Sequence, residues 1–197
     1  RCLEALAVLR TASKERLSVI EADALHENLA GIATPPFKII ANLPYNISTQ
    51  LLLNWIENVH NISGLVLMFQ KEVALRLVAE PRSKAYGRLS ILTQLRYKAH
   101  IAFDVPPTAF RPAPKVTSSI VVFKPQAHYP EKDLWNAVKR VTRQAFAQRR
   151  KMLRKTLQPV FEDPIETLKT LGFSETARAE ELSPQDFVKL SEVYLEN

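Results

Sequence analysis

The sequence predicts an α/β domain built on a largely parallel sheet, followed by a small all-helical domain. Three observations predict it. Apolar runs at residues 17–21, 37–41 and 64–69 alternate with helical periodicity at 3–11, 48–57 and 71–78, the pattern of strand-helix-strand units with short connections. Two further strand-like runs, 99–103 and 118–123, are joined by the proline-rich stretch 105–115, as in an antiparallel hairpin at a sheet edge. Beyond residue 126 every periodic segment has the period of a helix.

Each element has its own signals. Residues 1–10 read as a helix already under way, and Leu17, Val19 and Ile20 make a first buried strand that ends at Asp23. Phe37, Ile39 and Ile40 make the second, which runs through Ala41-Asn42-Leu43-Pro44-Tyr45 into the leucine-rich helix at 48–57. The third strand, 64–69, is followed by the helix at 71–78, and Tyr86-Gly87-Arg88 leads into another through Leu95. Residues 125–130 are polar and bounded by prolines, so residues 1–126 are expected to form one domain and 127–197 a second. In the second, helices are expected at 131–149, 151–158, 164–171 and 184–195, with Gly172 as a stop signal and Ser183-Pro184 as a start signal.

Composition narrows the function classes. A chain of 197 residues can bury a real core as one large domain, or as a medium one with a small partner. No apolar run approaches the roughly 20 residues of a membrane span and no charged-then-apolar leader opens the chain, so a cytoplasmic protein without membrane contact is expected. The single cysteine, Cys2, excludes an internal disulfide, and no Cys/His cluster has zinc spacing, so no metal is expected. Between Lys132 and Lys155 nine Lys and Arg stand against one acid, Asp133, more than the whole-chain excess of +7. Basicity so concentrated, without the mixed signs of an ordinary solvated face, suits a polyanion such as nucleic acid.

The four glycines, Gly31, Gly64, Gly87 and Gly172, cannot form the G-x-G turn that a doubly wound nucleotide-binding domain carries after its first strand. The segment with that turn is therefore expected to precede Arg1. The most informative stretch is Ala41-Asn42-Leu43-Pro44-Tyr45-Asn46-Ile47-Ser48. Ligands of open parallel sheets bind outside the carboxyl ends of strands, where this stretch lies. Asn42 supplies a side-chain acceptor, Pro44 lacks an amide hydrogen while leaving carbonyls free, and Tyr45 offers a flat ring, a set suited to a planar base with an exocyclic amine. The same residues suit a strand-to-helix turn, and spacing alone does not separate the two.

Residues 42–48 resemble the catalytic signature of the ribosomal RNA adenine N6-dimethyltransferases, which take methyl groups from S-adenosylmethionine. The resemblance continues in order through Glu21-Ala22-Asp23-Ala24-Leu25, residues 68–74, Tyr86-Gly87-Arg88-Leu89-Ser90, residues 105–116, residues 145–151 and residues 178–183, covering almost the whole chain. The helical tail is similar to that of the bacterial small-subunit type. The resemblance implies a Rossmann-like methyltransferase sheet, amino-terminally incomplete, with a helical RNA-binding domain. It also implies N6 dimethylation of adjacent adenosines in a hairpin loop of small-subunit (16S) ribosomal RNA, in aid of small-subunit biogenesis. The implied donor is S-adenosylmethionine, which residues 1–197 alone, without the glycine-rich turn, are expected to bind weakly or not at all and so to be inactive in methyl transfer. The implied partners are that RNA and the pre-small ribosomal subunit, met by a monomer.

Residue roles follow from the same resemblance. Asp23 is implied to accept from the adenine amine of the donor and Ala24 to present a backbone amide to that ring, although Asp23 also suits a turn. Asn42, close to both donor and substrate, is implied to accept from the N6 amine, helped by the carbonyl of Leu43 or Pro44. Tyr45 and Phe110 are implied to stack on the flipped base, Phe110 equally suiting an anchor of its proline-rich loop. Lys84, Tyr86 and Arg88 are implied to line the approach of the RNA, with Lys115 beside it, while Tyr86-Gly87 also suits a helix start. Gln148, Arg149, Arg150 and Lys151 are placed against phosphates. Two other functions stay open: a large-subunit enzyme of the antibiotic-resistance type or a DNA N6-adenine enzyme, and a non-catalytic RNA-binding assembly factor. DNA enzymes usually carry Asp where Asn42 stands, and the Tyr86-Gly87-Arg88-Leu89-Ser90 block favours the small-subunit type.

Overall fold

The computed structural model describes residues 2–14 and 16–196, with side chains from residue 6 onward; Arg1, Glu15 and Asn197 lie outside the described residues. The chain divides into two compact units, Arg1–Ala33 and Thr34–Asn197. The first holds helix α1 (Cys2–Ala12) and the single turn α2 (Leu29–Ile32), capped by the Asn28 side chain, which accepts from the Ala30 N–H. Residues 17–21 correct the sequence expectation. They are not assigned to a strand, and Ile20 is 55% exposed. A strand-like composition makes a strand only where a neighbouring ladder accepts it, and among the described residues none pairs here.

The second unit follows the predicted order closely. Strand β1 (Phe37–Asn42) leads to helix α3 (Ser48–Ile56), then to strand β2 (Ile62–Gln70) and helix α4 (Lys71–Leu77). Helix α5 (Arg88–Arg96) runs directly into strand β3 (Tyr97–Val105), and a loop returns the chain to strand β4 (Ser118–Pro125). The sheet order is β1-β2-β4-β3. β1 and β2 are parallel, whereas β4 is antiparallel to both β2 and β3. The sheet is thus mixed and not largely parallel, because the hairpin's second strand inserts beside β2 and leaves β3 at the edge, as the proline-rich connection predicted.

β2 and β4 form the centre of the sheet and carry its most buried residues. Leu65, Leu67, Phe69, Val121 and Phe123 are all at most 1% exposed. Phe123 meets the edges of Phe69 and Tyr97 at ring distances of 6.2 Å in both cases, geometry that favours aromatic pairs. Leu51, Leu52 and Ile56 of α3, with Ile91, Leu92 and Leu95 of α5, complete the core. Each such side chain contributes roughly 1.5–3 kcal/mol by leaving water.

The remaining helices are α6 (Lys132–Ala145), α7 (Leu153–Thr156), α8 (Pro164–Thr170) and α9 (Pro184–Glu196). α6 packs chiefly on α9, with Phe146 just past its end tilted against Phe187 at 5.8 Å. The predicted helix at 131–149 stops at Ala145, and that at 151–158 shrinks to α7, because residues 147–151 offer only small, polar or charged side chains and turn at the surface. Both punctuation signals act as predicted. Gly172, at φ +75°, closes α8 with a Phe173 N–H to Leu168 carbonyl bond of 2.8 Å. Ser183 and Asp186 bond reciprocally at the start of α9, the hydroxyl accepting from the Asp186 N–H and the carboxylate from the Ser183 N–H.

Candidate active site

β1 ends at Asn42, and the chain turns immediately into α3. Two hydrogen bonds make that turn: the Ile47 N–H donates to the Pro44 carbonyl (3.2 Å), and the Ser48 hydroxyl to the Tyr45 carbonyl (3.0 Å). Leu43 is buried at 6% exposure, so the turn is pinned to the core while Asn42, Pro44 and Asn46 stay exposed. In the parallel register Asn42 lies beside Met68 of β2. The strand end, the turn and the loop between β3 and β4 together border an open concavity of about 330 Å³, at the lower end of the volumes of small-molecule sites.

Asn42, Leu43, Pro44 and Tyr45 line this concavity together with Phe110, more than sixty residues away in the chain. Met68, Pro112 and Pro114 line it as well. None of these three was singled out from the sequence; the available signals were the register of Met68 with Asn42 and the position of the prolines around Phe110. The Tyr45 hydroxyl lies 2.6 Å from Ser118 Oγ at the start of β4. The Pro44 carbonyl already serves Ile47, whereas no protein donor reaches the Leu43 carbonyl among the described hydrogen bonds. Larger grooves of about 900 Å³ along residues 6–19 and about 770 Å³ between α8 and α9 lack this convergence of amide, carbonyl and ring.

Asp23 and Ala24 belong to the first unit. Asp23 accepts from the Leu25 N–H (2.9 Å) and pairs with His26 Nδ1 (3.1 Å). The backbone bond from Leu25 above all holds its carboxyl below the ordinary value; desolvation opposes it, and the His26 contacts add to the lowering. The side chain is 59% exposed, so both oxygens keep room for a further donor.

The residues expected to meet RNA separate by burial. Lys84, Lys115, Gln148, Arg149, Arg150 and Lys151 are exposed. Arg149 nevertheless donates to the Lys84 carbonyl and faces Glu180 at 3.5 Å, which joins two of these segments. Arg88 is half-buried, donates to the Lys139 carbonyl (3.5 Å), and is held below its ordinary pKa by desolvation and by Arg143. Tyr86 corrects the expectation. At 1% exposure its ring is inside the core and its hydroxyl donates to the Leu182 carbonyl (2.8 Å), because the turn before α5 packs under the segment leading to α9. A ring so enclosed cannot stack on a nucleotide. Among the described residues there is no group of three or more metal-binding side chains, and no helix is long and apolar enough to cross a membrane.

The family model for ribosomal RNA adenine dimethylase matches residues 4–196. A ribosomal RNA small subunit methyltransferase A from Xanthobacter autotrophicus is 47% identical over 198 residues, covering 98% of this chain and 68% of that protein. Among solved structures, a dimethyladenosine transferase from Plasmodium falciparum superposes with a TM-score of 0.84 at 25% identity, over 98% of this chain and 78% of the other. The 23S rRNA methyltransferase ErmE superposes with a TM-score of 0.69 at 21% identity, over 98% and 79%, and shares the fold.

Proposed function

The chain belongs to the ribosomal RNA adenine dimethylase family, and from that premise we propose that it methylates the N6 amine of adenosines in small-subunit (16S) ribosomal RNA. It dimethylates adjacent adenosines of a hairpin loop and thereby aids small-subunit biogenesis. The single observation that carries the reading is the concavity in which Asn42, the Leu43 carbonyl, Tyr45 and Phe110 converge. Methyl transfer belongs to residues 1–126 and most RNA contact to 127–197, which include the basic stretch from Lys132 to Lys155. The RNA is met in the cytoplasm, on the pre-small subunit, by a monomer.

S-adenosylmethionine, when bound, supplies an electrophilic methyl group on a sulfonium centre. The residues that the resemblance assigns to it have fitting chemistry, each within its own unit: in the first, the exposed Asp23 carboxylate is an acceptor suited to an adenine amine and Ala24 has a backbone N–H, and in the second the Asn42 carboxamide stands exposed at the strand end. The substrate amine is a poor nucleophile because its lone pair is delocalised into the ring. Asn42 Oδ1 and the Leu43 carbonyl would accept its two hydrogens and draw them out of the ring plane, which localises the lone pair on the nitrogen. Catalysis is then positioning plus oriented dipoles, with no strong base needed, since the nitrogen acidifies as it is methylated. Tyr45 and Phe110 supply ring faces to the flipped base, whose extrusion costs a few kcal/mol and least in a loop.

Asn42→Ala tests this. In a protein that also carries the glycine-rich donor turn, the variant is expected to keep RNA and donor binding and to lose on the order of 10²-fold in turnover, as for one preorganised polar group. Near-normal methylation of an unmodified small subunit by the variant would remove Asn42 from the mechanism. The large-subunit alternative is not favoured, because the relative at 47% identity is a small-subunit enzyme.

A further inference from the structure

Tyr45 is held at both ends. Its carbonyl accepts from the hydroxyl of Ser48, 1% exposed at the start of α3, and its phenolic oxygen lies 2.6 Å from the hydroxyl of Ser118, 0% exposed at the start of β4. We propose that Ser118 is a positioning residue for methyl transfer: its hydrogen bond holds the Tyr45 ring as a fixed wall of the concavity that Phe110 also lines. The proposal rests on reading that concavity as the site of the target base.

Three features carry it. Stacking on a base needs only an aromatic face, yet the residue is a tyrosine whose hydroxyl is directed to the protein. That hydroxyl restrains the ring and does no chemistry of its own. Ser118 is a rigid anchor, since it pairs with Gln70 of β2 on one side and with Val105 of β3 on the other. Its neighbour Thr117 accepts from the Lys71 N–H at 2.9 Å, so the loop carrying Phe110 is tied down at the same point that restrains Tyr45. The restraint is also reciprocal. Tyr45 is the one described partner of the Ser118 side chain, and swinging the ring away would strand a buried hydroxyl, which is costly. A ring fixed before the base arrives loses no freedom on binding, and the gain falls on the orientation of the amine.

The experiment compares the parent protein with Ser118→Ala, Tyr45→Phe and the double variant, on unmethylated small subunits. Each single change should lower kcat about three- to tenfold with RNA affinity and KM unchanged, the worth of one hydrogen bond. The double variant should be no slower than the slower single. Ring flipping of isotope-labelled Tyr45, read by NMR without any methyl transfer, should quicken about tenfold in Ser118→Ala. Unchanged flipping, or rate losses that add in the double variant, would overturn the clamp. Absence of methyl transfer by a parent protein that also carries the glycine-rich donor turn would overturn the functional reading beneath it. A fall in melting temperature with kcat intact would reduce Ser118 to a structural residue and also overturn the proposal.

Discussion

At the scale of the residue, burial divides side chains that the sequence presents as equivalent. Tyr45 and Tyr86 each stand next to a turn and a helix start, yet one lines a concavity and the other is sealed under residues 178–182. The Tyr86 hydroxyl is pushed far above its ordinary pKa, first by burial and then by Asp186, so it stays a neutral donor to the Leu182 carbonyl. Tyr86→Phe should therefore cost about 1 kcal/mol of unfolding free energy and strand the carbonyl, while RNA affinity stays at the parent value. Weaker RNA binding with unchanged stability, from filter binding and denaturant melts, would return Tyr86 to the RNA surface. Sequence gave no means of telling the two tyrosines apart, since a partner ninety-six positions away decides it.

At the scale of the element, the sheet depends on ties between its strands and the helices at their ends. Lys71, the first residue of α4, bonds Asp104 of β3 at 2.5 Å, and Asp104 also accepts from Ser119 of β4 at 2.6 Å. Lys71 first and Ser119 second hold the Asp104 carboxyl below its ordinary value of 3.8. A carboxyl depressed in the folded state stabilises above the unfolded pKa, and the contribution is lost as pH falls through the folded value. Asp104→Asn should accordingly lower stability at neutral pH and remove part of the loss below about pH 4. Melting temperatures of both proteins across pH 2 to 7 check this: parallel curves would mean that the tie does not matter. High salt should shrink the difference, because Lys71 and Asp104 are both partly exposed.

At the scale of the whole molecule, the helical segment is fixed to the sheet-bearing part by a charged and aromatic junction. The guanidinium of Arg96, at the end of α5, lies 4.9 Å from the Tyr129 ring centre and 4.3 Å from that of Trp135 in α6. Glu57 accepts from Trp135 Nε1 (2.9 Å) and from Lys139 (3.0 Å). Arg149 is drawn into the same kind of work at Lys84 and Glu180, whereas no ion pair engages Arg150 or Lys151 among the described residues. Neutralising Arg150 and Lys151 should each flatten the salt dependence of RNA binding by about one unit of log–log slope, and neutralising Arg149 by less. Equal slopes for all three single variants would contradict that division. By itself the sequence determined what is local or periodic: strand and helix order in residues 34–197, the stop at Gly172, the start at Ser183, and the basic segment. It also carried the residue types of the candidate site, because Asn42 to Tyr45 are contiguous and the family signature they resemble is read without coordinates. Only the tertiary structure decided that residues 17–21 find no ladder partner among the described residues, that β4 enters antiparallel beside β2, and that Tyr86 is buried. It alone brought Met68 and Ser118 to Tyr45, and it set Phe110, paired with Tyr45 until then only by resemblance, along the same concavity. These are outcomes of pairing and burial between distant segments, and such long-range contacts leave no period in the chain to read.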